Sequence, residues 1–344
     1  MIVEDSLVVR QLLTHIVGRD PRFVVAAAVP SAEEALACLE DARPDVISMD
    51  IRLPGMDGLE ATRRIMAERP TPIVVIADAV DDSLRISMNA LRAGALTVVE
   101  KPAGPASASY ESLADTICTQ LFIMSSVPVI RRRQIGRPDG PSIARAPIQT
   151  GAFEQMDYLA LAASTGGPPA LAKVLGGLPR NLPAAVFVVQ HMGAPFMEGF
   201  ARWLDGVCPL PVVLAENGLT AEAGQVYVAP GDRHMAVRAN GVIRVLDEPP
   251  VGGQRPAANV LFDSLAETAP RRTVGVLLTG MGEDGARGLA HLAGAGAHTI
   301  AEHASTAVVN GMPGAAVRLK AARDVLPLDL VAPRLLQLSA KGRL

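Results

Sequence analysis

The first third of the chain alternates short runs of β-branched residues with stretches in which apolar residues recur three and four positions apart. The first pattern is typical of buried strands and the second of amphipathic helices. Ser31 and Glu34 add capping-box spacing at the start of one helical stretch. This alternation predicts a parallel, doubly wound sheet with function at the carboxyl ends of its strands. The predicted strands are Ile2–Glu4, Phe23–Val29, Asp45–Met49, Pro72–Ile76 and Leu96–Val99, and the predicted helices include Gly58–Glu68 and Asp81–Ala93.

The first predicted strand is short. It has about three residues before the acidic pair Glu4 and Asp5, whereas a central strand commonly has about five. We therefore expect either a shortened N-terminal strand or a sheet that is weakened at its centre.

The second half of the chain repeats the α/β pattern and adds a hairpin. Met235–Arg238 and Val242–Leu246 flank Asn240 and Gly241, a pair that suits a tight primed turn. We predict a second doubly wound, mostly parallel α/β domain with an inserted β-hairpin. Three of its apolar runs end in chemically suggestive loops, namely Tyr158–Ala163, Ala184–Gln190 and Thr273–Thr279.

Between the two patterns lies a basic segment without hydrophobic periodicity. Residues 131–150 mix Arg, Pro, Gly and Ser, and residues 126–152 carry a net charge of +4. Such a composition is typical of a solvated linker. The predicted domains are therefore 1–124 and 153–344, joined by a linker over 125–152.

Composition narrows the class of protein. Apolar residues make up 49% of the chain, which is ample for two cores, and aromatic residues only 3%, too few for base-stacking platforms. No apolar run approaches the ~20 residues of a membrane span, and acids near the N-terminus argue against an export signal. The three cysteines show no zinc or disulfide spacing. We expect a reduced, cytoplasmic protein without membrane insertion.

Acidic residues follow the predicted strands of the first domain. Glu4 and Asp5 follow the first strand, Asp50 the third, and Lys101 the fifth. Carboxylates that converge at one sheet edge repel one another unless a divalent cation lies among them, and oxygen ligands suit Mg²⁺. In that arrangement Asp50 can attack phosphorus to form an acyl phosphate, while Lys101 holds a phosphate oxygen. Taken singly, each acid could equally be a solvated loop residue.

Three residues of the second domain suit nucleophilic catalysis. Ser164 lies at a strand-to-helix turn, where the following amides, beginning with that of Thr165, are free to bind an oxyanion. His191 can serve as its base, and Asp284 can orient the imidazole. Alternatively, Ser164 and Asp284 could each cap a helix, and His191 could be a core residue. The remaining histidines are interpreted as structural or surface residues, except that His234 lies in a turn that could line a cleft.

Two other functions remain open from the residues alone. Gly280, Gly282 and Gly285 match a dinucleotide-binding fingerprint, although Glu283 and Asp284 would repel a pyrophosphate there. A non-catalytic or DNA-binding output is the second alternative, but residues 153–344 have no net charge and no basic recognition helix. We therefore expect no nucleic-acid partner.

Three motifs of the first domain belong together. They are Val3-Glu4-Asp5-Ser6, Met49-Asp50-Ile51-Arg52-Leu53-Pro54-Gly55-Met56-Asp57-Gly58 and Lys101-Pro102. In these motifs the first domain resembles the receiver domain of two-component response regulators, which implies a flavodoxin-like (βα)5 fold. The resemblance makes Asp50 the phosphoacceptor, assigns Glu4 and Asp5 with Asp50 to Mg²⁺, and places Lys101 on the phosphoryl group. Receivers usually carry Ser or Thr after the fourth strand, where this chain has Ala77 and then Asp78, so switching by phosphate is in question.

The second domain carries a longer set of motifs, in order along the chain. They are Leu161-Ala-Ala-Ser164-Thr-Gly-Gly-Pro168, Val188-Val-Gln-His191-Met192, Tyr227-Val-Ala-Pro-Gly231-Asp-Arg-His234, Arg255-Pro256, Asn259-Val-Leu-Phe262, Leu277-Leu-Thr-Gly-Met-Gly282-Glu-Asp284-Gly285 and Val309-Asn-Gly-Met-Pro313. In these motifs the domain resembles the catalytic domain of the chemotaxis methylesterase family, CheB. By position, the resemblance makes Ser164 the nucleophile, His191 the general base and then acid, Asp284 the orienting carboxylate and the Met281 amide an oxyanion donor. Residues 301–309 lack the acid-rich sequence expected there.

Together the two resemblances imply a regulated serine hydrolase of chemotaxis. It would demethylate glutamate γ-methyl esters and deamidate particular glutamines on chemoreceptors, without a cofactor for catalysis. The chemotaxis histidine kinase CheA would be its phosphodonor, with Mg²⁺ needed for phosphorylation. Such a phosphoprotein is expected in the cytoplasm, at receptor arrays on the inner membrane.

Overall fold

The computed structural model describes residues 1–78, 89–91, 93–102, 104, 110–127 and 153–340. The chain divides into two compact units, Met1–Gly140 and Pro141–Leu344, each with its own parallel sheet. Most of the predicted linker and most of the predicted helix Asp81–Ala93 lie outside the described residues.

The first unit has a five-stranded parallel sheet in the order β2-β1-β3-β4-β5. This order and the helices that cover the sheet confirm the predicted doubly wound fold. The strands are β1 (Ile2–Val3), β2 (Ala28–Val29), β3 (Ile47–Met49), β4 (Ile73–Ala77) and β5 (Thr97–Glu100). The described helices are α1 (Leu7–Arg19), α2 (Ala32–Ala42), α3 (Gly58–Glu68) and α4 (Tyr110–Ser125).

The prediction of a strand over Phe23–Val29 is wrong for its first five residues. β2 is an edge strand, and its sole sheet neighbour β1 begins to pair only where Ile2 lies opposite Ala28. Apart from the Ala27 carbonyl, which accepts the Ile2 N–H at 2.9 Å, residues 23–27 make no backbone hydrogen bond to a described strand. They form a loop in which Val24 is 93% exposed. Phe23 instead packs edge-on against Phe122 of α4.

Side-chain caps determine where the helices of the first unit begin. The Ser31 hydroxyl accepts the Glu34 N–H at 3.2 Å and starts α2, as the capping-box spacing predicts. The Asp57 carboxylate accepts the Glu60 N–H at 2.7 Å and starts α3 in the same way. Because Asp57 follows β3 closely, this cap determines the length of the loop that begins at Asp50.

The second unit has a seven-stranded sheet in the order β14-β13-β12-β6-β7-β9-β8, in which every neighbouring pair is parallel. The strands are β6 (Tyr158–Ala163), β7 (Ala185–Gln190), β8 (Val212–Leu214), β9 (Val226–Val228), β12 (Thr273–Leu277), β13 (His298–Glu302) and β14 (Asp324–Leu326). The helices are α5 (Gly167–Gly176), α6 (Ala194–Val207), α7 (Ala258–Thr268), α8 (Ala286–Gly294), α9 (Met312–Arg318) and α10 (Leu328–Ala340).

The predicted hairpin forms a separate antiparallel pair, β10 (His234–Val237) and β11 (Ile243–Leu246). Its connection is a short 3₁₀ turn over Ala239–Gly241. Asn240 and Gly241 have φ of 63° and 76°, the left-handed values that Asn and Gly tolerate best. The hairpin therefore forms where the Asn-Gly pair predicted it, although the turn also includes Ala239.

β6 lies where the chain order of the large sheet reverses direction. From β6 the chain adds β7 on one side and returns later to add β12 on the other. All but the first residue of β6 and every residue of β7 and β12 are buried. In doubly wound sheets such a reversal opens a crevice at the carboxyl ends of the strands. No helix within the described residues is long and apolar enough to span a membrane.

Candidate active site

Strand register brings Ser164 and His191 side by side. Ala163 at the end of β6 pairs with Gln190 at the end of β7, so Ser164 and His191 are the next residues on neighbouring strands. The His191 N–H donates to the Ala163 carbonyl at 3.1 Å and extends this pairing by one step. Adjacent strands lie about 4.8 Å apart, so the predicted nucleophile and base leave the sheet as direct neighbours.

The helix that follows Ser164 begins without a side-chain cap. Gly166 is the N-terminal cap of α5 and has φ of 74°. A Cβ atom there would approach Val308 to 2.6 Å, so both conformation and space favour glycine. The Ser164 hydroxyl makes no hydrogen bond to another described residue. The capping alternative for Ser164 therefore receives no support.

His191 is oriented by Asp284. The imidazole Nε2 lies 2.8 Å from the Asp284 Oδ2, and both side chains are almost fully buried. Because a carboxylate can only accept, this contact puts the proton of a neutral imidazole on Nε2 and leaves Nδ1 as an acceptor. A base with a free acceptor nitrogen is what the Ser164 hydroxyl requires.

Asp284 is held by the N-terminus of α7. Its Oδ2 accepts the Ala258 N–H at 2.6 Å, and its Oδ1 accepts the Asn259 N–H at 3.1 Å. Burial raises the pKa of Asp284, but the hydrogen bond and charge of His191 and the two amides outweigh it, so that the pKa lies below its ordinary value. Asp284 thus caps a helix, but not the one that follows it, since α8 begins at a Gly285 cap without a side-chain hydrogen bond.

Hydrogen bonds to the Ser164 carbonyl determine the orientation of the Thr165 amide. That carbonyl accepts the Gly167 N–H and the Gln190 Nε2, each at 2.8 Å. In a trans peptide the C=O and the next N–H point in opposite directions. The Thr165 N–H therefore points away from α5, and it has no acceptor among the described residues.

The Met281 amide is aimed in the same manner. The Gly280 carbonyl accepts the N–H groups of Gly311 at 3.0 Å and Met312 at 2.9 Å, at the start of α9. The Met281 N–H consequently points away from α9, and no described residue accepts it. Free, pre-oriented amides of this kind can bind an oxyanion.

Gln190 supports this site, although the sequence analysis did not single it out. Gln190 is 1% exposed, and its Nε2 donates to the carbonyls of both Ser164 and His191, at 2.8 and 3.0 Å. A polar residue that ends an apolar run was the available signal.

The hypothesis that His234 lines a cleft is wrong, because His234 is fully buried. Its Nδ1 accepts the Ala257 N–H at 3.1 Å, and its Nε2 is 3.0 Å from the Pro249 carbonyl. His234 therefore holds the residue before Ala258, whose amide binds Asp284.

In the first unit, the predicted acidic residues and lysine meet at the carboxyl end of the sheet. The Lys101 Nζ lies 2.8 Å from the Asp50 Oδ2 and 3.0 Å from the Glu4 Oε2. Glu4 and Asp50 are buried, whereas Asp5 is exposed. Burial, and then repulsion by Asp50, raises the pKa of Glu4 to about 7. The pKa of Lys101 is also raised, because Asp50 and Glu4 outweigh the cost of its burial.

This arrangement fits a divalent cation. One oxygen from each of Glu4, Asp5 and Asp50 lies within 4.8 Å of the others. Three carboxylate oxygens with one side open to solvent suit Mg²⁺, which retains several waters.

The residues after β4 differ from a usual receiver as the sequence indicated. Ala77 is buried and has no hydroxyl to offer a phosphoryl group. Asp78 is exposed. The possibility that Asp78 faces inward and repels a phosphate is therefore not supported, and the missing hydroxyl is the remaining departure.

Comparison with known proteins identifies both parts. The CheB methylesterase family model matches residues 159–335, and the response regulator receiver domain model matches residues 1–108. The chain is 51% identical, over 99% of its length and 97% of the relative's, to protein-glutamate methylesterase/protein-glutamine glutaminase 2 of Paramagnetospirillum magneticum. It is 44% identical, over 97% of each chain, to protein-glutamate methylesterase/protein-glutamine glutaminase 3 of Anaeromyxobacter dehalogenans.

Among solved structures, the CheB methylesterase catalytic domain of Thermotoga maritima is 36% identical and aligns with a TM-score of 0.52. The match covers 54% of this chain and 99% of that domain. Gly280, Gly282 and Gly285 lie within the methylesterase match, so neither the dinucleotide-binding nor the DNA-binding alternative is supported. The chain belongs to the CheB methylesterase family, and its methylesterase domain follows a response regulator receiver domain.

Proposed function

We propose that the second domain hydrolyses glutamate γ-methyl esters on chemoreceptors and deamidates particular receptor glutamines. The observation that carries the proposal is the strand register that makes Ser164 and His191 neighbours while Asp284 hydrogen-bonds His191. The names of the relatives from Paramagnetospirillum magneticum and Anaeromyxobacter dehalogenans state both activities for those proteins.

In this proposal the Ser164 oxygen attacks the ester carbonyl, and the His191 Nδ1 takes the hydroxyl proton. The resulting oxyanion is stabilised by the N–H groups of Thr165 and Met281. His191 returns the proton to the departing methoxide, and methanol leaves. Water then attacks the acyl-enzyme with His191 as base, which releases the glutamate carboxylate and regenerates Ser164. Deamidation follows the same steps with ammonia as leaving group, and we expect it to be slower.

The first domain is the regulatory part of the proposal. Asp50 accepts a phosphoryl group as an acyl phosphate, and Lys101 pairs with a phosphoryl oxygen. Glu4, Asp5 and Asp50 would hold Mg²⁺, which when bound offsets the negative charge of the phosphoryl oxygens. The expected phosphodonor is the chemotaxis histidine kinase CheA. Phosphorylation then raises esterase activity at the receptor arrays.

The test is methanol release from receptor membranes that carry labelled methyl esters. Ser164→Ala is expected to abolish release, because the proposed mechanism forms the acyl-enzyme on the Ser164 oxygen. Ser305→Ala is a matched control, since the Ser305 hydroxyl lies 2.8 Å from the His303 Nδ1 on the exposed surface. Full activity is expected for that control. Substantial methanol release by Ser164→Ala would contradict the proposal.

A further inference from the structure

Thr279 joins the loop of the nucleophile to the loop of Met281. It follows β12 and is 1% exposed. Its carbonyl accepts the Ser164 N–H at 3.0 Å. Its hydroxyl donates to the Thr165 carbonyl at 2.9 Å. Thr279 therefore holds both ends of the segment whose central peptide carries the Thr165 N–H.

The same hydroxyl contacts the segment before α9. The Val309 N–H donates to the Thr279 oxygen at 2.9 Å, and the Val309 carbonyl accepts the Gly280 N–H at 2.9 Å. The Gly280 carbonyl in turn accepts the N–H groups of Gly311 and Met312, and these hydrogen bonds orient the Met281 N–H. One hydroxyl group thus links the segments that place the two candidate oxyanion donors.

The backbone of Thr279 has a third support in Glu302. This residue ends β13 and is 1% exposed, and its Oε2 accepts the Thr279 N–H at 2.8 Å. The N–H, the carbonyl and both hydrogen-bonding functions of the Thr279 hydroxyl are therefore all engaged. A fully satisfied buried residue of this kind restricts its neighbours to one geometry.

We propose that Thr279 is a positioning residue of the hydrolytic site, whose hydroxyl sets the relative placement of the Ser164–Thr165 peptide and the Met281 amide. This inference rests on the proposed esterase function. Thr279 touches no reacting atom in the proposed mechanism. Its effect should therefore appear in the rate of the chemical step, because oxyanion stabilisation falls when donors are displaced.

The chain offers a matched control in Thr299. It is also fully buried, its hydroxyl donates to the Ala321 carbonyl at 2.7 Å, and it accepts the Arg323 N–H at 3.1 Å. Thr299 thus makes the same pair of hydrogen bonds as Thr279, but to the segment that precedes β14. Thr279→Val and Thr299→Val remove equivalent interactions and differ in whether the site depends on them.

The experiment measures methanol release by the full chain from a soluble methylated receptor fragment, with Mg²⁺ and acetyl phosphate present. Thr279→Val is expected to lower kcat by about 10- to 100-fold with KM within about twofold of wild type. Thr279→Ser, which keeps the hydroxyl, should retain most of the activity. Thr299→Val should lose a similar amount of thermal stability while kcat stays unchanged.

The proposal is overturned if Thr279→Val has the same kcat as Thr299→Val, or if the kcat of Thr279→Ser is as low as that of Thr279→Val. Should Thr279→Val not fold, Thr279→Ala against Thr299→Ala makes the same comparison. Ser164→Ala is measured alongside. Methanol release that persists in Ser164→Ala would overturn the esterase function as well, whereas an inactive Ser164→Ala with a fully active Thr279→Val overturns the role of Thr279 alone.

Discussion

At the scale of residues, the base of the candidate site depends on backbone groups far away in the chain. Asp284 fixes the tautomer of His191, and two amides at the start of α7 fix Asp284. Because His191 and those amides together outweigh the burial of the carboxylate, the pKa of Asp284 lies below its ordinary value and Asp284 stays ionised. The charge that stabilises a protonated His191 is therefore already present before substrate binds.

Replacing Asp284 tests this dependence. In Asp284→Asn the side-chain amide nitrogen can donate to the His191 Nε2, which places the imidazole proton on Nδ1. A protonated Nδ1 cannot accept the proton of the Ser164 hydroxyl. We expect kcat for methanol release to fall on the order of 10³- to 10⁴-fold. Asp263→Asn is the matched control, because Asp263 also lies 2.8 Å from a histidine, His291, but on the exposed surface. Equal activity of the two variants would contradict the assigned tautomer.

At the scale of elements, the local pattern predicts the bounds of some elements and misses those of others. β6 has the predicted bounds Tyr158–Ala163, and α3 has the predicted bounds Gly58–Glu68. The strand predicted over Phe23–Val29 is mostly loop, because a strand also needs a neighbour and β1 supplies only two residues. Strand pairing is non-local, so hydrophobic pattern alone could not predict where β2 begins.

A partly buried cluster of polar side chains joins the elements at one edge of the large sheet. Asp324 of β14 lies 2.7 Å from both His298 of β13 and Arg334 of α10. Burial would raise the pKa of Asp324, but His298 and Arg334 outweigh it and lower the pKa to about 2. A folded-state pKa below the unfolded value contributes stability above the unfolded pKa, and that contribution disappears as the pH falls through the folded pKa.

Asp324→Asn should therefore destabilise the protein by about 1 kcal/mol at pH 5, allowing for solvent screening at this partly exposed cluster. The difference from wild type should shrink between about pH 4 and pH 2. Urea unfolding followed by the fluorescence of Trp203, the single tryptophan, measures it. Asp329→Asn, which breaks an exposed pair with Lys173, should have little effect at any pH. A difference that does not vary with pH would exclude the ionised Asp324 as its source.

At the scale of the whole molecule, two parallel sheets carry two different chemistries at the carboxyl ends of their strands. One edge gathers Glu4, Asp50 and Lys101, and the other gathers Ser164 and His191. The family assignment joins them as input and output of one signalling enzyme. The receiver domain differs from the usual receiver at Ala77, because alanine lacks the hydroxyl with which receivers usually contact the phosphoryl group.

Acetyl phosphate with Mg²⁺ is expected to raise methanol release by the full chain about fivefold, at the low end of typical coupling because Ala77 offers no hydroxyl. Asp50→Asn should show no rise. Asp57→Asn removes an acid from the same loop while keeping a side chain that can cap α3, so its response should match wild type. An equal rise in Asp50→Asn would show that the phosphodonor acts elsewhere.

The sequence by itself determined the α/β class, most strand and helix positions, and the placement of the acids, Ser164 and His191 at strand ends. These follow from periodicity and capping, which act among residues close together in the chain. The three-dimensional structure was needed to show that β6 lies between β7 and β12, that α7 holds Asp284, and that Thr279 joins the loops of Ser164 and Met281. Those contacts link groups that are far apart in the chain, such as Thr279 and Thr165, which are 114 positions apart. No local pattern specifies these contacts, because they depend on the spatial order of the strands in the sheet.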